Sequence, residues 1–195
     1  MCARYDDEWI AAMMDTKGRF GSQTPEELLA DTGLGAGQAV VDLGCGPGLL
    51  ALVAARMVGR EGKVFAVDTE GSMLDQMDSR AKHAGLENIE TVHSDGGRTP
   101  LADGSADYAI CSLVLHFPPD FPGRVKMAKD VARLLRSGGR SLWIEWTPKE
   151  DNDSATRLGP EEAAEILGEA GFECDAARPV GDMQFSILAA LASTE

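Results

Sequence analysis

One segment constrains the fold more than any other: Val40-Val41-Asp42-Leu43-Gly44-Cys45-Gly46-Pro47-Gly48. The apolar run Ala39–Leu43 is strand-like and ends in a glycine cluster, and the good helix formers of Leu49–Val58 follow at once. A strand that turns sharply into a helix is the opening unit of a parallel sheet covered by helices. Glycines at such a turn permit positive φ and let a ligand approach the backbone. The free N–H groups at a helix start favour an anionic group. In open parallel sheets, ligands sit outside the carboxyl ends of the strands, where the strand order reverses. The turn therefore predicts a small ligand carrying a carboxylate or a phosphate.

The rest of the chain repeats the same alternation. Residues 63–67 and 89–93 read as the second and third strands. Between them, residues 72–84 form a helix with Met73, Leu74, Met77 and Ala81 at helical spacing, closed by Gly85. A fourth strand lies around Tyr108-Ala109-Ile110-Cys111. A helix over 124–136, stopped by Ser137-Gly138-Gly139, precedes a fifth strand over 141–146, in which Trp143 is a core residue. A helix over 160–170 has proline in its first turn. Gly171 ends it before a sixth strand from Phe172, and residues 183–190 form a seventh. The turn near Pro179-Val180-Gly181-Asp182 is too short for a parallel crossover, so the last two strands are antiparallel neighbours. The expectation is an α/β, Rossmann-like sheet of seven strands, mostly parallel with one antiparallel strand and helices on both faces. It forms a single domain over 1–195. Residues 1–38 are a partly helical segment, over 6–14 and 25–31, packed on or lidding the core of 39–195.

Charge limits the partners. Lys plus Arg number 18 against 32 Asp plus Glu, a net charge of −14. That argues against a phosphate-backbone binder, which needs clustered cations to displace counterions, and against attraction to an anionic membrane. The first residues, Met1-Cys2-Ala3-Arg4-Tyr5-Asp6-Asp7-Glu8, are too charged for a signal peptide, and no apolar run is long enough to span a bilayer. Cytoplasmic location is the expectation. Cys2, Cys45, Cys111 and Cys174 form no C-x-x-C pair and have no histidine at ligand spacing. Reduced thiols and no metal are expected. Nothing in the sequence speaks to oligomeric state.

A dinucleotide fingerprint needs G-x-G-x-x-G, but Leu49 stands where the third glycine should be, and no Gly-Lys-Ser/Thr follows to make a P-loop. The spacing is G-x-G-x-G, with an acid two residues ahead. That segment resembles the first motif of class I S-adenosylmethionine-dependent methyltransferases. Further stretches match in order: Val67-Asp68-Thr69, Ser94-Asp95-Gly96, the run from Leu101 to Tyr108, Leu134-Leu135-Arg136-Ser137-Gly138-Gly139 and Ala170-Gly171-Phe172. The similarity covers roughly residues 37–191 and is nearest the ubiquinone/menaquinone-biosynthesis-like branch.

The resemblance implies S-adenosylmethionine as methyl donor, S-adenosylhomocysteine as product and a small-molecule acceptor. Asp68 would accept from both ribose hydroxyls, a charge-assisted contact. Asp95 would take the adenine amino group and the Gly96 N–H a ring nitrogen, or Asp95 is a turn residue. Thr69 lines the adenosine side, and Met73 covers the adenine or belongs to the core. Gly44, Cys45 and Gly46 pass beneath the methionine part, with Cys45 contributing backbone rather than a nucleophile. Asp42 is structural or meets the amino group, and Ser112 ends the fourth strand beside the sulfonium. His116 is the candidate base for an oxygen acceptor, or a loop histidine that only packs. Glu145 is a second acid/base, a holder of a cationic substrate, or a plain strand-end acid.

Trp9, Met13, Met14, Arg19 and Phe20 make either a packed amphipathic segment with a surface arginine or a lid that brings Arg19 to the cofactor carboxylate. The polar stretch Lys149-Glu150-Asp151-Asn152-Asp153 leaves no room for a large cap, so the acceptor is small, and the cysteines suggest no arsenic-binding set. Two other classes fit less of the pattern: a non-catalytic S-adenosylmethionine-binding subunit and a nicotinamide-dependent oxidoreductase.

Overall fold

The computed structural model describes residues 7–148 and 157–192. Cys2, the start of the expected first helix at Asp6, and the polar stretch 149–153 lie outside them. The chain opens with three short helices, α1 (Asp7–Met14), α2 (Thr16–Phe20) and α3 (Pro25–Leu29). Strands and helices then alternate: β1 (Ala39–Leu43), α4 (Leu49–Val58), β2 (Lys63–Asp68), α5 (Gly71–His83), β3 (Ile89–His93), β4 (Ala106–Ser112), α6 (Phe121–Leu134), β5 (Leu135–Trp146) and α7 (Pro160–Glu169). Three strands follow α7: β6 (Phe172–Cys174), β7 (Arg178–Val180) and β8 (Gln184–Leu191).

The sheet order is β3-β2-β1-β4-β5-β8-β6. Strands β1 to β5 are parallel, and β8 runs antiparallel to β5, β6 and β7. The reversed strand thus wedges between the fifth and sixth, as a short connection requires. The seven-strand plan holds, with its sixth strand broken in two. Along one edge of β8, Cys174 faces Ala189 and Arg178 faces Ser186, so three residues of the broken strand oppose only Ile187 and Leu188. The surplus residue bulges out and splits the strand into β6 and β7. Of the stretch Pro179-Val180-Gly181-Asp182 that reads as a turn, Pro179 and Val180 belong to β7, at an outer position where proline's missing N–H is tolerated, and the turn itself lies at 181–183. The fifth strand also begins earlier than expected. Leu135 already pairs with Ala106, residues 136–139 loop out opposite Asp107, and Arg136 closes the loop on Asp107 at 2.5 Å.

Side-chain alternation divides the sheet into two packed faces. Val40, Val64, Tyr108, Ile110, Leu142 and Ile144 pack with Leu28, Leu52 and Met77 from α3, α4 and α5. Val41, Val67, Ala109, Cys111 and Trp143 pack with Val131 of α6 and with Ile166 and Leu167 of α7. By the same alternation, Asp42 and Ser112 belong to the first face and Glu145 to the second. The chain proceeds outward from β1 to β3, then returns to the other side of β1 for β4. The β1/β4 boundary is the switch point, and the glycine cluster sits on it.

Gly48 caps α4 in the left-handed region (φ +99°), and a Cβ there would collide with the Met77 Sδ. Gly48→Ala should therefore cost roughly 1–3 kcal/mol of folding stability. Urea unfolding measures this, and a parental midpoint and slope would mean that the turn relaxes freely.

Candidate active site

The glycine turn is held from below by β2. The N–H groups of Gly44 and Cys45 both donate to the Val67 carbonyl, at 2.8 and 2.9 Å. The Gly46 N–H donates to Asp68 Oδ2 at 2.8 Å. Gly44, Gly46 and Gly48 all have positive φ, at +70°, +52° and +99°. The G-x-G-x-G spacing thus corresponds to a chain that turns left-handed at every second residue, which side chains bearing a Cβ rarely tolerate. Gly44 is further pinned by Val114, whose Cγ1 occupies the place of a Cβ.

At the end of β2, each oxygen of Asp68 accepts one backbone N–H, Oδ2 from Gly46 and Oδ1 from Glu70 at 3.0 Å. A carboxylate oxygen has two lone-pair sites, so both retain capacity for a hydroxyl. The loops after β2 and β3 approach each other. His93 Nε2 lies 3.1 Å from the Thr69 carbonyl, and the Thr69 methyl lies 3.6 Å from where a Cβ would stand on Gly96. Thr69 and Asp95 are exposed, and Met73 is buried in the first turn of α5. Asp95 Oδ1 accepts from the Gly97 N–H at 2.8 Å, and Gly96 takes φ +82°. Asp95 thus shapes its own turn while presenting its second oxygen outward.

At the other end of the turn, a narrow cleft is lined by Met13, Arg19, Asp42, Gly44, Pro47 and Ser112, among others. Arg19 departs from the surface position open to it in the sequence. It is 8% exposed and donates to Ser112 Oγ at 3.0 Å and to the Met13 carbonyl at 3.2 Å. Burial lowers its pKa to about 10, with Asp42 opposing the shift, so it stays cationic at neutral pH. Asp42 is 2% exposed. Burial and then the charge of Asp68 push its carboxyl up to about 7, opposed by Arg19. Asp42 Oδ2 and Arg19 Nε are both buried with no hydrogen-bond partner among the described residues. Two unsatisfied groups of opposite charge in one cleft suit a ligand that is itself a zwitterion, since buried polar atoms are otherwise nearly always paired. The Cys45 thiol is buried and raised far above its ordinary pKa by burial and by Asp42 and Asp68. That agrees with a backbone role, because the thiolate is the nucleophilic form.

The fourth and fifth strands end in a second constellation. His116 Nδ1 lies 2.8 Å from Glu145 Oε2, and Glu145 Oε1 accepts the Leu115 N–H at 2.6 Å. Glu145 is 1% exposed. A buried carboxylate on Nδ1 fixes the imidazole tautomer and leaves Nε2 as the outward acceptor. Leu113 takes φ +58°, uncommon for a leucine, at the bend that redirects the chain from β4 toward His116. The separate roles open to His116 and Glu145 in the sequence are thereby joined. No local pattern signals the pairing, because the two residues are 29 apart. A larger surface groove runs between Arg56 and Glu90 at the opposite, amino-terminal edge of β2 and β3, away from all these groups.

Known proteins resemble this chain in sequence and in fold. The methyltransferase domain family matches residues 40–139. A demethylmenaquinone methyltransferase of Geobacillus kaustophilus is 28% identical over 120 residues, covering 62% of this chain and 50% of its own. An arsenite methyltransferase of Halobacterium salinarum is 29% identical over 183 residues, covering 87% of this chain and 45% of its own. The chain thus spans about half the length of the curated relatives it matches. A solved S-adenosylmethionine-dependent methyltransferase from Aquifex aeolicus superposes with a TM-score of 0.85, over 97% of this chain and all of that one, at 24% identity. The chain belongs to the methyltransferase domain family and has the class I S-adenosylmethionine-dependent methyltransferase fold.

Proposed function

We propose that the protein transfers the methyl group of S-adenosylmethionine to a small hydroxyl-bearing acceptor. The observation that carries this reading is the unsatisfied pair of Asp42 Oδ2 and Arg19 Nε beside the left-handed glycine turn. Asp42 takes the ammonium of the cofactor's amino-acid end and Arg19 its carboxylate. Asp68 receives the ribose hydroxyls. Asp95, Gly96, Thr69 and Met73 border the adenine. When bound, the cofactor supplies an electrophilic methyl whose leaving group is a neutral thioether. The chain's contribution is alignment, which can account for several kcal/mol of the barrier, and removal of a proton. His116 Nε2 accepts the acceptor's hydroxyl proton as the new O–C bond forms, and Glu145 stabilises the resulting imidazolium through Nδ1–H. The relatives that match over 62% of this chain support the methyltransferase reading at the level of the family, while the acceptor atom is argued from His116 and Glu145 alone. The described cysteines do not favour a metalloid acceptor: Cys45 and Cys111 are buried, and Cys174 lies on β6.

Calorimetry tests the cofactor assignment. S-Adenosylhomocysteine should bind and NAD should not. Asp68→Ala should weaken binding about ten- to a hundredfold while leaving the fold intact. Binding of NAD alone would overturn the assignment.

Asp42 gives that binding a pH dependence with a defined sign. An ammonium partner favours the ionised carboxylate, so S-adenosylhomocysteine affinity should rise as pH passes upward through about 7, with release of a proton. 5′-Methylthioadenosine lacks the amino-acid end and should show a flat profile. In the unliganded protein the sign is opposite. The folded pKa is raised above the ordinary carboxyl value of 3.8, so the folded state holds more protons and stability falls as pH rises from about 4 to 7. Asp42→Asn should remove both the rising affinity and the falling stability. Equal pH profiles for the two ligands would take the ammonium away from Asp42.

For His116, the variant is His116→Gln, which cannot titrate near neutrality. Turnover should slow by roughly 10²–10⁴-fold with cofactor affinity unchanged. Parental turnover would leave positioning as the whole mechanism.

A further inference from the structure

The segment carrying α1 and α2 lies across the ligand edge of the sheet. Met13 Cε stands 4.0 Å from where a Cβ of Gly46 would be, at the β1 turn. Arg19 bonds Ser112 at the end of β4. The Phe20–Gly21 backbone packs against Gly181 at the β7–β8 turn, 3.0–3.3 Å from where a Cβ of Gly181 would be. At that far end lies a third unsatisfied group. Gln184, the first residue of β8, is 2% exposed, and its side-chain oxygen and nitrogen both lack a hydrogen-bond partner among the described residues. It faces Trp146 across β5 and Val180 across β7. Alternation puts it on the same sheet face as Asp42 and Ser112. Val180 and Phe20 share one buried cluster on that face.

A buried amide with neither half satisfied is unfavourable for folding, whereas an apolar residue of similar volume carries no such penalty. Nothing in the fold of β8 requires a polar side chain at this register position. Asp42 and Arg19 are matched by the cofactor's amino-acid end, and Gln184, strands away at β8, is not. The acceptor is the remaining ligand of that edge. Trp146, partly exposed, stands beside Gln184, and the next residue back, Glu145, orients His116 from the opposite face.

We propose that Gln184 is the acceptor-recognising residue, reached past the contact between the Phe20–Gly21 backbone and the β7–β8 turn while Arg19 stays beside Asp42. It takes an uncharged compound that offers a hydrogen-bond donor and acceptor on neighbouring atoms, beside Trp146, whose ring is overlain by the Arg157 guanidinium at 5.6 Å. This rests on the methyltransferase reading above. Two features select an uncharged acceptor. An amide supplies no charge to balance a buried ion, and a proton-accepting His116–Glu145 pair is needed only when the hydroxyl arrives protonated.

The test uses the full chain with tritium-methyl S-adenosylmethionine. A small-molecule extract is divided by ion exchange into uncharged, anionic and cationic fractions. The parent should label the uncharged fraction. Gln184→Met should raise the apparent KM for that fraction roughly tenfold with little change in kcat. It should keep parental affinity for S-adenosylhomocysteine and melt at the same or a higher temperature. A Gln184 serving only the fold would instead melt lower with an unchanged KM, and that result overturns the proposal. Gln184→Leu repeats the measurement should the methionine variant not fold. Label confined to a charged fraction also overturns it. Label in no fraction overturns the methyltransferase reading itself.

Discussion

The left-handed glycine turn is the constraint on which the rest of the site depends. Three backbone donors, from Gly44, Cys45 and Gly46, are spent on β2, two on the Val67 carbonyl and one on the Asp68 carboxylate. The first strand, the second strand and the start of α4 are thereby locked into one rigid unit. That unit sits where the strand order reverses, so its open side faces the crevice between β1 and β4. Asp68 is both a structural acceptor for this turn and a candidate ligand for the ribose. The same carboxylate shapes the cradle and presents its remaining lone pairs to what lies in it.

Against this rigid edge, the amino-terminal segment is a separate layer of short helices. Its capping is local, with Asp15 accepting the Lys17 N–H and Thr24 forming a capping box with Glu27. It is held to the core through Leu28 and Leu29 of α3 and, along the ligand edge, by Met13 over the glycine turn, Arg19 on Ser112 and Phe20 against the β7–β8 turn. Such a segment can close a site without belonging to the sheet. Among the buried unsatisfied groups of the described residues, Arg19 Nε belongs to this segment, and Asp42 Oδ2 and the Gln184 amide lie on the sheet face it packs against. Unsatisfied polarity is unfavourable for folding and is retained where ligands restore the missing partners. Its alignment along one edge gives the crevice two chemical ends, one charged and one neutral.

Much of the fold is legible in the sequence because strands and helices of a parallel α/β domain alternate in chain order. Strands Ala39–Leu43 and Ile89–His93 and helix Leu49–Val58 match their sequence expectations residue for residue. Local signals of apolar runs, glycine stops and helical spacing decide them. The broken sixth strand is not legible, since a single-residue bulge arises from pairing with β8, which lies later in the chain. The early start of β5 has the same origin, because Leu135 becomes a strand residue only by facing Ala106.

The candidate site divides in the same way. The sequence by itself determined the glycine turn, the acid at the end of the second strand and the acid–glycine pair after the third. Each is a contiguous motif whose chemistry is carried by its own backbone. Only the tertiary structure decided that Arg19 is buried beside Asp42, that Glu145 holds His116, and that Gln184 stands unsatisfied at the end of β8. These are relations across 23, 29 and more residues, fixed by which strands become neighbours. A lone arginine, histidine or glutamine in sequence is compatible with solvent, core or site. Burial and the absence or presence of a partner separate those outcomes, and both are properties of the packed edge rather than of any local stretch of chain.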